Sequence, residues 1–175
     1  DIQGTGAVAV AAIYAACRIS NTKFTDHRFI IYGAGAAGMG IAKRIRDHLR
    51  EEGMSEDDIR LAILSMDSRG VISESRGHME TYKQKLAWPA DAVATLGLAE
   101  EELRDLAKVT AAFKATVLVG TSGRAGSFSE DVVRAAAANA DQPIILPMSN
   151  PTTICEATPK NIMEWKLRKM RSLKR

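Results

Sequence analysis

Two cysteines in 175 residues, Cys17 and Cys155, are too few for a disulfide scaffold and fit a reducing compartment. Long apolar runs are also missing. The longest, residues 7–17, is alanine-rich and ends at Arg18, short of the ~18 residues that span a bilayer. No charged segment followed by an apolar stretch stands after Asp1, so no signal peptide is expected. There is no repeat and no low-complexity tract. What is present, 46% hydrophobic and 26% charged residues, is the balance of one ordinary globular domain and excludes a disordered chain.

A basic character is missing as well, despite a net charge of +3. Six of the 24 Lys and Arg residues fall in the last ten positions, which hold no acid. The remaining 18 face 21 acids, a net of −3. The charge belongs to a tail, so residues 1–165 are read as the domain and 166–175 as a basic segment ending a solvated helix. Neither a nucleic acid nor a membrane is expected as a partner.

Short apolar runs alternate with helical periods. Residues 4–17 predict a largely buried helix with Thr5 as its cap. Residues 28–32, 59–66, 116–119 and 143–148 read as strands. Helices are expected over 39–52, with Ile41, Ile45 and Leu49 on one face, over 99–114, over 128–138 with Ser127 or Ser129 as cap, and from Pro159 onward. Residues 55–58 read as a surface link, and 68–89 are irregular. Strands separated by helices mean βαβ units and a parallel sheet.

The first strand ends in Gly33-Ala34-Gly35-Ala36-Ala37-Gly38 and a helix follows. This GxGxxG stands in the context that dinucleotide binding needs. The first glycine allows a tight turn, the second lets a pyrophosphate approach the backbone, and the third lets helix and strand pack closely. The helix N-terminus adds unpaired N–H groups and a positive dipole end. The bland alternative is a glycine turn that only tightens a βα corner. Asp67, at the end of the next strand, decides for a dinucleotide, because an acid there accepts hydrogen bonds from the adenosine ribose. The same charge would repel a 2′-phosphate and favour NAD over NADP, with Arg69 as the cation that could reverse the preference. No Gly-Lys-Ser/Thr follows the glycines, which excludes a triphosphate P-loop.

Two further strand ends stand where ligands lie in open α/β sheets. Gly120-Thr121-Ser122-Gly123 puts Ser122 where a cofactor would cross the sheet, and its glycines are misplaced for a nucleophile elbow. Ser149-Asn150-Pro151-Thr152 reads equally as a turn and as an amide set at the sheet edge. His27, His48 and His78 have no ligand spacing and are expected on the solvated surface, Cys17 in the core, and Cys155 as an unreactive thiol.

Taken in order, Asp-Ile-Gln-Gly-Thr at 1–5, Gly-Ala-Gly-Ala-Ala-Gly-Met-Gly-Ile-Ala at 33–42, the acid at 67, Gly-Ser-Phe-Ser-Glu at 126–130 and Ser-Asn-Pro-Thr at 149–152 resemble the NAD-binding domain of malic enzymes, including the related malolactic enzymes. The resemblance runs from Asp1 to about Trp165, and the glycine motif looks more like the bacterial branch. It implies a Rossmann-type, doubly wound, mostly parallel sheet. It also implies oxidative decarboxylation of malate to pyruvate and CO2 with NAD, less readily NADP, and Mg2+ or Mn2+. Gly33, Ala34, Gly35, Ala36, Ala37, Gly38 and Asp67 match the cofactor site. Asn150 matches the asparagine near both nicotinamide and malate. Asp1 matches a metal ligand, a hard oxygen suited to either ion; the metal would polarise the ketone of the oxaloacetate intermediate.

In the family, the other acidic metal ligands and the catalytic tyrosine and lysine belong upstream of Asp1. After the last helix the family continues into another strand and an asparagine-rich substrate motif. The chain is therefore expected to be a cofactor domain apart from its catalytic partner. It would have no catalytic residue of its own, a sheet truncated at one edge, and no turnover of malate by itself. The full-length protein is expected as a homo-oligomer in the cytoplasm, or alternatively the mitochondrial matrix. Conversion of malate to lactate, or nucleotide binding without catalysis, are the competing functions.

Overall fold

A computed structural model describes residues 2–172, with side chains described over 4–166. Its centre is a five-stranded sheet: β1 (Phe29–Tyr32), β2 (Ile63–Asp67), β3 (Gly70–Val71), β4 (Val117–Gly120) and β5 (Ile144–Pro147). The order is β3-β2-β1-β4-β5. All pairings are parallel except that of β3 with β2, where Met66 faces Val71 and Asp67 faces Gly70. The mostly parallel α/β sheet agrees with the sequence. The antiparallel β3 is an addition, too short to carry a period.

Alternation along the strands feeds two cores. Phe29, Ile31, Val117 and Val119 face one layer of helices, and Ile30, Tyr32, Leu64, Met66 and Leu118 face the other. The first layer holds α1 (Ile2–Ser20), α2 (Ala36–Glu51) and α3 (Glu56–Ala62). α2 buries Ile41, Ile45 and Leu49 as its period predicts. α1 already includes Ile2, so Thr5 lies inside the helix and is not its cap. Only a stripe of α1 is buried, through Ala9, Ile13 and Cys17, while Val8 and Ile19 meet solvent. This corrects the expectation of a largely buried helix; small residues make the whole segment look apolar.

The predicted strand over 59–66 begins later than expected. Its first turn belongs to α3, capped by the Ser55 hydroxyl accepting from Asp58 N, with Glu56, Asp57 and Asp58 in the first turn. Residues 55–58 are thus a helix start and not a link. Between β3 and β4 run α4 (Thr81–Gln84), α5 (Ala90–Ala94) and α6 (Leu106–Phe113). The helix predicted over 99–114 is interrupted at Asp105, whose carboxylate caps α6 by accepting from Ala107 N and Lys108 N. The second layer is completed by α7 (Glu130–Asn139), capped by Ser129, and α8 (Pro159–Ser172). α8 packs Ile162 and Trp165 on this core and continues past position 165. No described helix is long and apolar enough to cross a membrane.

Candidate cofactor site

The chain leaves β1 toward β2 on one side and reaches β4 on the other, so the strand order reverses between β1 and β4. Such a switch point opens a crevice at the carboxyl ends of the strands. The glycine turn stands at its centre.

Each glycine of that turn has its own reason. Gly33 has φ +113°, and a Cβ there would lie 2.5 Å from the Thr121 carbonyl carbon. A Cβ on Gly38 would lie 1.9 Å from Gly33 O, so only hydrogen lets α2 approach the strand end. A Cβ on Gly35 would meet nothing within 4 Å. Gly35 is also the N-cap of α2, and no side chain caps that helix. An exposed helix N-terminus with open space in front of it is the cradle a pyrophosphate needs. Thr121 locks the turn from β4: its Oγ1 donates to Gly33 O at 2.7 Å and its N–H to Tyr32 O at 2.8 Å. Gly35 and Ala36 are exposed, whereas Ala34 turns inward onto Ile72, Met79 and Ala87.

Asp67 ends β2 on one side of the cradle. Arg76 Nη1 donates to both of its oxygens at 2.9 Å, Lys83 Nζ to Oδ2 at 3.2 Å, and Arg69 N–H to Oδ1 at 2.9 Å. Burial pushes the carboxyl up, but the Arg69 N–H, Arg76 and Lys83 outweigh it and hold it below the usual carboxylate range. Arg69 reaches Asp67 through its backbone, and the cations beside the carboxylate are Arg76 and Lys83. Sequence reasoning missed both, since they stand in the irregular segment.

On the other side of the cradle lie Ser122 and Asn150. The Ser122 hydroxyl donates to Glu156 Oε1 at 2.8 Å, and Ser149 Oγ does so at 2.6 Å. Asn150, next to Ser149, is exposed, and its peptide bond to Pro151 is cis. Glu156 is fully buried and gave no signal in the sequence; a lone acid among Cys155, Ala157 and Thr158 has no motif. Burial raises its carboxyl pKa, and the Ser149 and Ser122 hydroxyls and the Ser122 N–H bring it below the ordinary value.

A cavity of about 520 Å3 adjoins these strand ends, lined by Tyr32, Arg104, Arg124 and the first residues of α6 and α7. A larger groove of about 870 Å3 runs along α2 over Met39, Lys43, Tyr82 and Leu86. Its lining starts at Ala36 beside the glycine turn and runs along α2 to Arg50 and Glu56, away from the other strand ends.

Asp1 lies outside the described residues, and among those described no group of three His, Cys, Asp or Glu could hold a metal ion. Of the histidines, His78 is exposed as expected. His48 is half-buried against Tyr14 and Phe24. His27 corrects the expectation outright. It is buried, with Nδ1 3.0 Å from Thr116 Oγ1 and Nε2 2.9 Å from Thr22 Oγ1. Cys17 is buried as predicted.

Residues 2–171 match the family described as malic enzyme, NAD binding domain. The chain belongs to that family. It is 39% identical over 166 residues to NAD-dependent malic enzyme 3 of Bacillus subtilis, covering 94% of this chain and 29% of that protein. It is 38% identical over 165 residues to the NAD-dependent malic enzyme of Acinetobacter baylyi, again with 94% and 29% covered. The chain thus spans under a third of the length of these relatives. In fold it resembles the malic enzyme of Entamoeba histolytica, with a TM-score of 0.70 and 18% identity over 93% of this chain and 30% of that one. The NAD-dependent malic enzyme of Thermotoga maritima gives 0.66 and 21%, over 93% and 37%. Family membership agrees with the Rossmann-type reading of the fold.

Proposed function

We propose that this chain is the NAD-holding part of an oxidoreductase that converts malate to pyruvate and CO2. The observation that carries the reading is Gly35: an open, uncapped helix N-terminus at the switch point, with Asp67 one strand away. Bound NAD would supply the hydride acceptor. The residues of this chain do the holding. The first N–H groups of α2 meet the pyrophosphate, Asp67 accepts from the adenosine ribose, and the Ser122 and Asn150 loops receive the nicotinamide half. Asn150, exposed at the edge of the crevice, would also orient malate. NAD is preferred to NADP through the Asp67 carboxylate, although Arg76 and Lys83 soften the preference.

Mg2+ or Mn2+ belongs to the reaction of the whole protein, with Asp1 as one ligand among several supplied from outside the described residues. A divalent ion held by one carboxylate keeps most of its waters and binds weakly. The whole protein is proposed as a homo-oligomer of the cytoplasm, acting on malate. Incubating it with malate, NAD and Mn2+ tests the reading. NADH and pyruvate in equal amounts support it. Lactate without free NADH would assign malolactic chemistry, and no product would leave nucleotide binding alone.

A further inference from the structure

Two segments flank the far half of the crevice, the loop 120–123 that begins with the last residue of β4 and the loop 148–150 after β5. Glu156 is the point at which they meet. Its Oε1 accepts from Ser122 N at 2.7 Å, Ser122 Oγ at 2.8 Å and Ser149 Oγ at 2.6 Å, and its Oε2 from Ser149 N at 3.3 Å. Two further bonds join the loops directly: Gly123 N donates to Ser149 Oγ at 2.9 Å and Met148 N to Gly120 O at 2.9 Å. The backbone of Glu156 is tied in turn to α7, where Phe128 N donates to its carbonyl at 3.0 Å. Room for the side chain exists because residue 120 is glycine; a Cβ there would lie 2.6 Å from Glu156 Cδ.

A buried carboxylate is a costly way to close a loop, and it persists only when every oxygen is satisfied. Here all four contacts come from donors, an arrangement only an acceptor on both oxygens can serve. An amide in its place would turn an NH2 toward a serine N–H or hydroxyl. We propose that Glu156 is a positioning residue for the nicotinamide half of the cofactor, fixing the Ser122 loop and, through Ser149, the adjoining Asn150. It touches no substrate or cofactor itself. The inference rests on the NAD-binding reading above and adds a division of labour to it. The adenosine half depends on Gly35 and Asp67, and the other half on Glu156.

The test compares NAD with ADP-ribose, which lacks the nicotinamide, by calorimetric titration of the 175-residue chain and its Glu156→Gln variant. Circular dichroism checks that each is folded. The expected result is ADP-ribose affinity within about twofold of wild type and NAD affinity lower by about tenfold, on the order of one hydrogen bond to a charged group. Ser149→Ala, which removes the hydroxyl's bonds to Glu156 Oε1 and from Gly123 N but leaves the Ser149 N–H on Oε2, should shift the NAD to ADP-ribose ratio in the same direction and decides the matter if Glu156→Gln does not fold. An unchanged ratio in the folded variant, or equal losses for both ligands, overturns the inference and leaves the NAD reading standing. A wild-type chain that binds ADP-ribose as tightly as NAD overturns it too. A wild-type chain that binds neither overturns both.

Discussion

Arg76 lies across the carboxylate of Asp67, its Nη1 2.9 Å from each oxygen, and both side chains are nearly buried. Lys83 closes the pair from a third direction and is itself bonded to Glu80. Asp67 therefore belongs to a balanced cluster of two acids and two cations. Its charge alone discriminates weakly against a 2′-phosphate. The wild-type chain should prefer NAD to NADP by no more than about tenfold, one unit of 1.4 kcal/mol. Arg76→Gln removes a cation and should widen the preference by weakening NADP more than NAD. Paired titrations with the two cofactors check this; an unaltered ratio would show that Arg76 does not face the phosphate.

Gly35 and Gly38 separate binding from folding. Gly35→Ala adds a methyl group in open space, so stability should change by no more than about 1 kcal/mol, the scale of an N-cap effect. The same methyl group stands where the pyrophosphate approaches, and NAD affinity should fall at least about tenfold. Gly38→Ala forces a Cβ against Gly33 O and should cost about 2–3 kcal/mol of stability. Melting curves with and without NAD distinguish the two variants.

His27 makes stability depend on pH. Burial lowers its pKa, with Asp26 opposing in part. The folded state therefore holds the neutral ring between two threonines, while the unfolded chain takes up a proton near pH 6.5, by the usual value of about 6.5. The contribution is fully present above that pH and is lost as pH falls below it toward the folded-state value. Urea melts should show stability declining as pH drops below about 6.5. His27→Asn should be less stable at neutral pH and should show a shallower slope. An identical slope would assign the pH dependence to other groups.

Asn139 offers a separate check on the second layer. Its Nδ2 donates to Thr110 O at 3.0 Å and Ala115 O at 2.9 Å, tying the end of α7 to the end of α6. Asn139→Ala takes this donor from Ala115 O and from Thr110 O, which keeps the Ala115 N–H, and should cost about 1–3 kcal/mol, seen as a lower melting temperature without a change in the ratio of NAD to ADP-ribose affinity.

What was legible in the sequence was local. The turn at Gly33–Gly38, the acid that ends β2, the face of α2 and the Ser129 cap depend on neighbours within a few residues. The start of β2 was misplaced because Ile59 is apolar whether it ends a helix or opens a strand; the serine and three acids before it carried the better signal. His27 and Glu156 were out of reach for a different reason. Thr116 lies 89 residues from His27, and Ser122 lies 34 from Glu156. Their burial is a property of strands brought side by side, and no window of sequence contains both partners.

NAD binding in the crevice at the β1–β4 switch point is measured by titrating NAD into the folded chain in a calorimeter, with Gly35→Ala as control. The expected result is saturable binding of one NAD per chain, displaced by ADP-ribose and weakened in the variant. A folded chain that gives no binding heat at millimolar NAD, or a Gly35→Ala variant that binds as tightly as wild type, would contradict it.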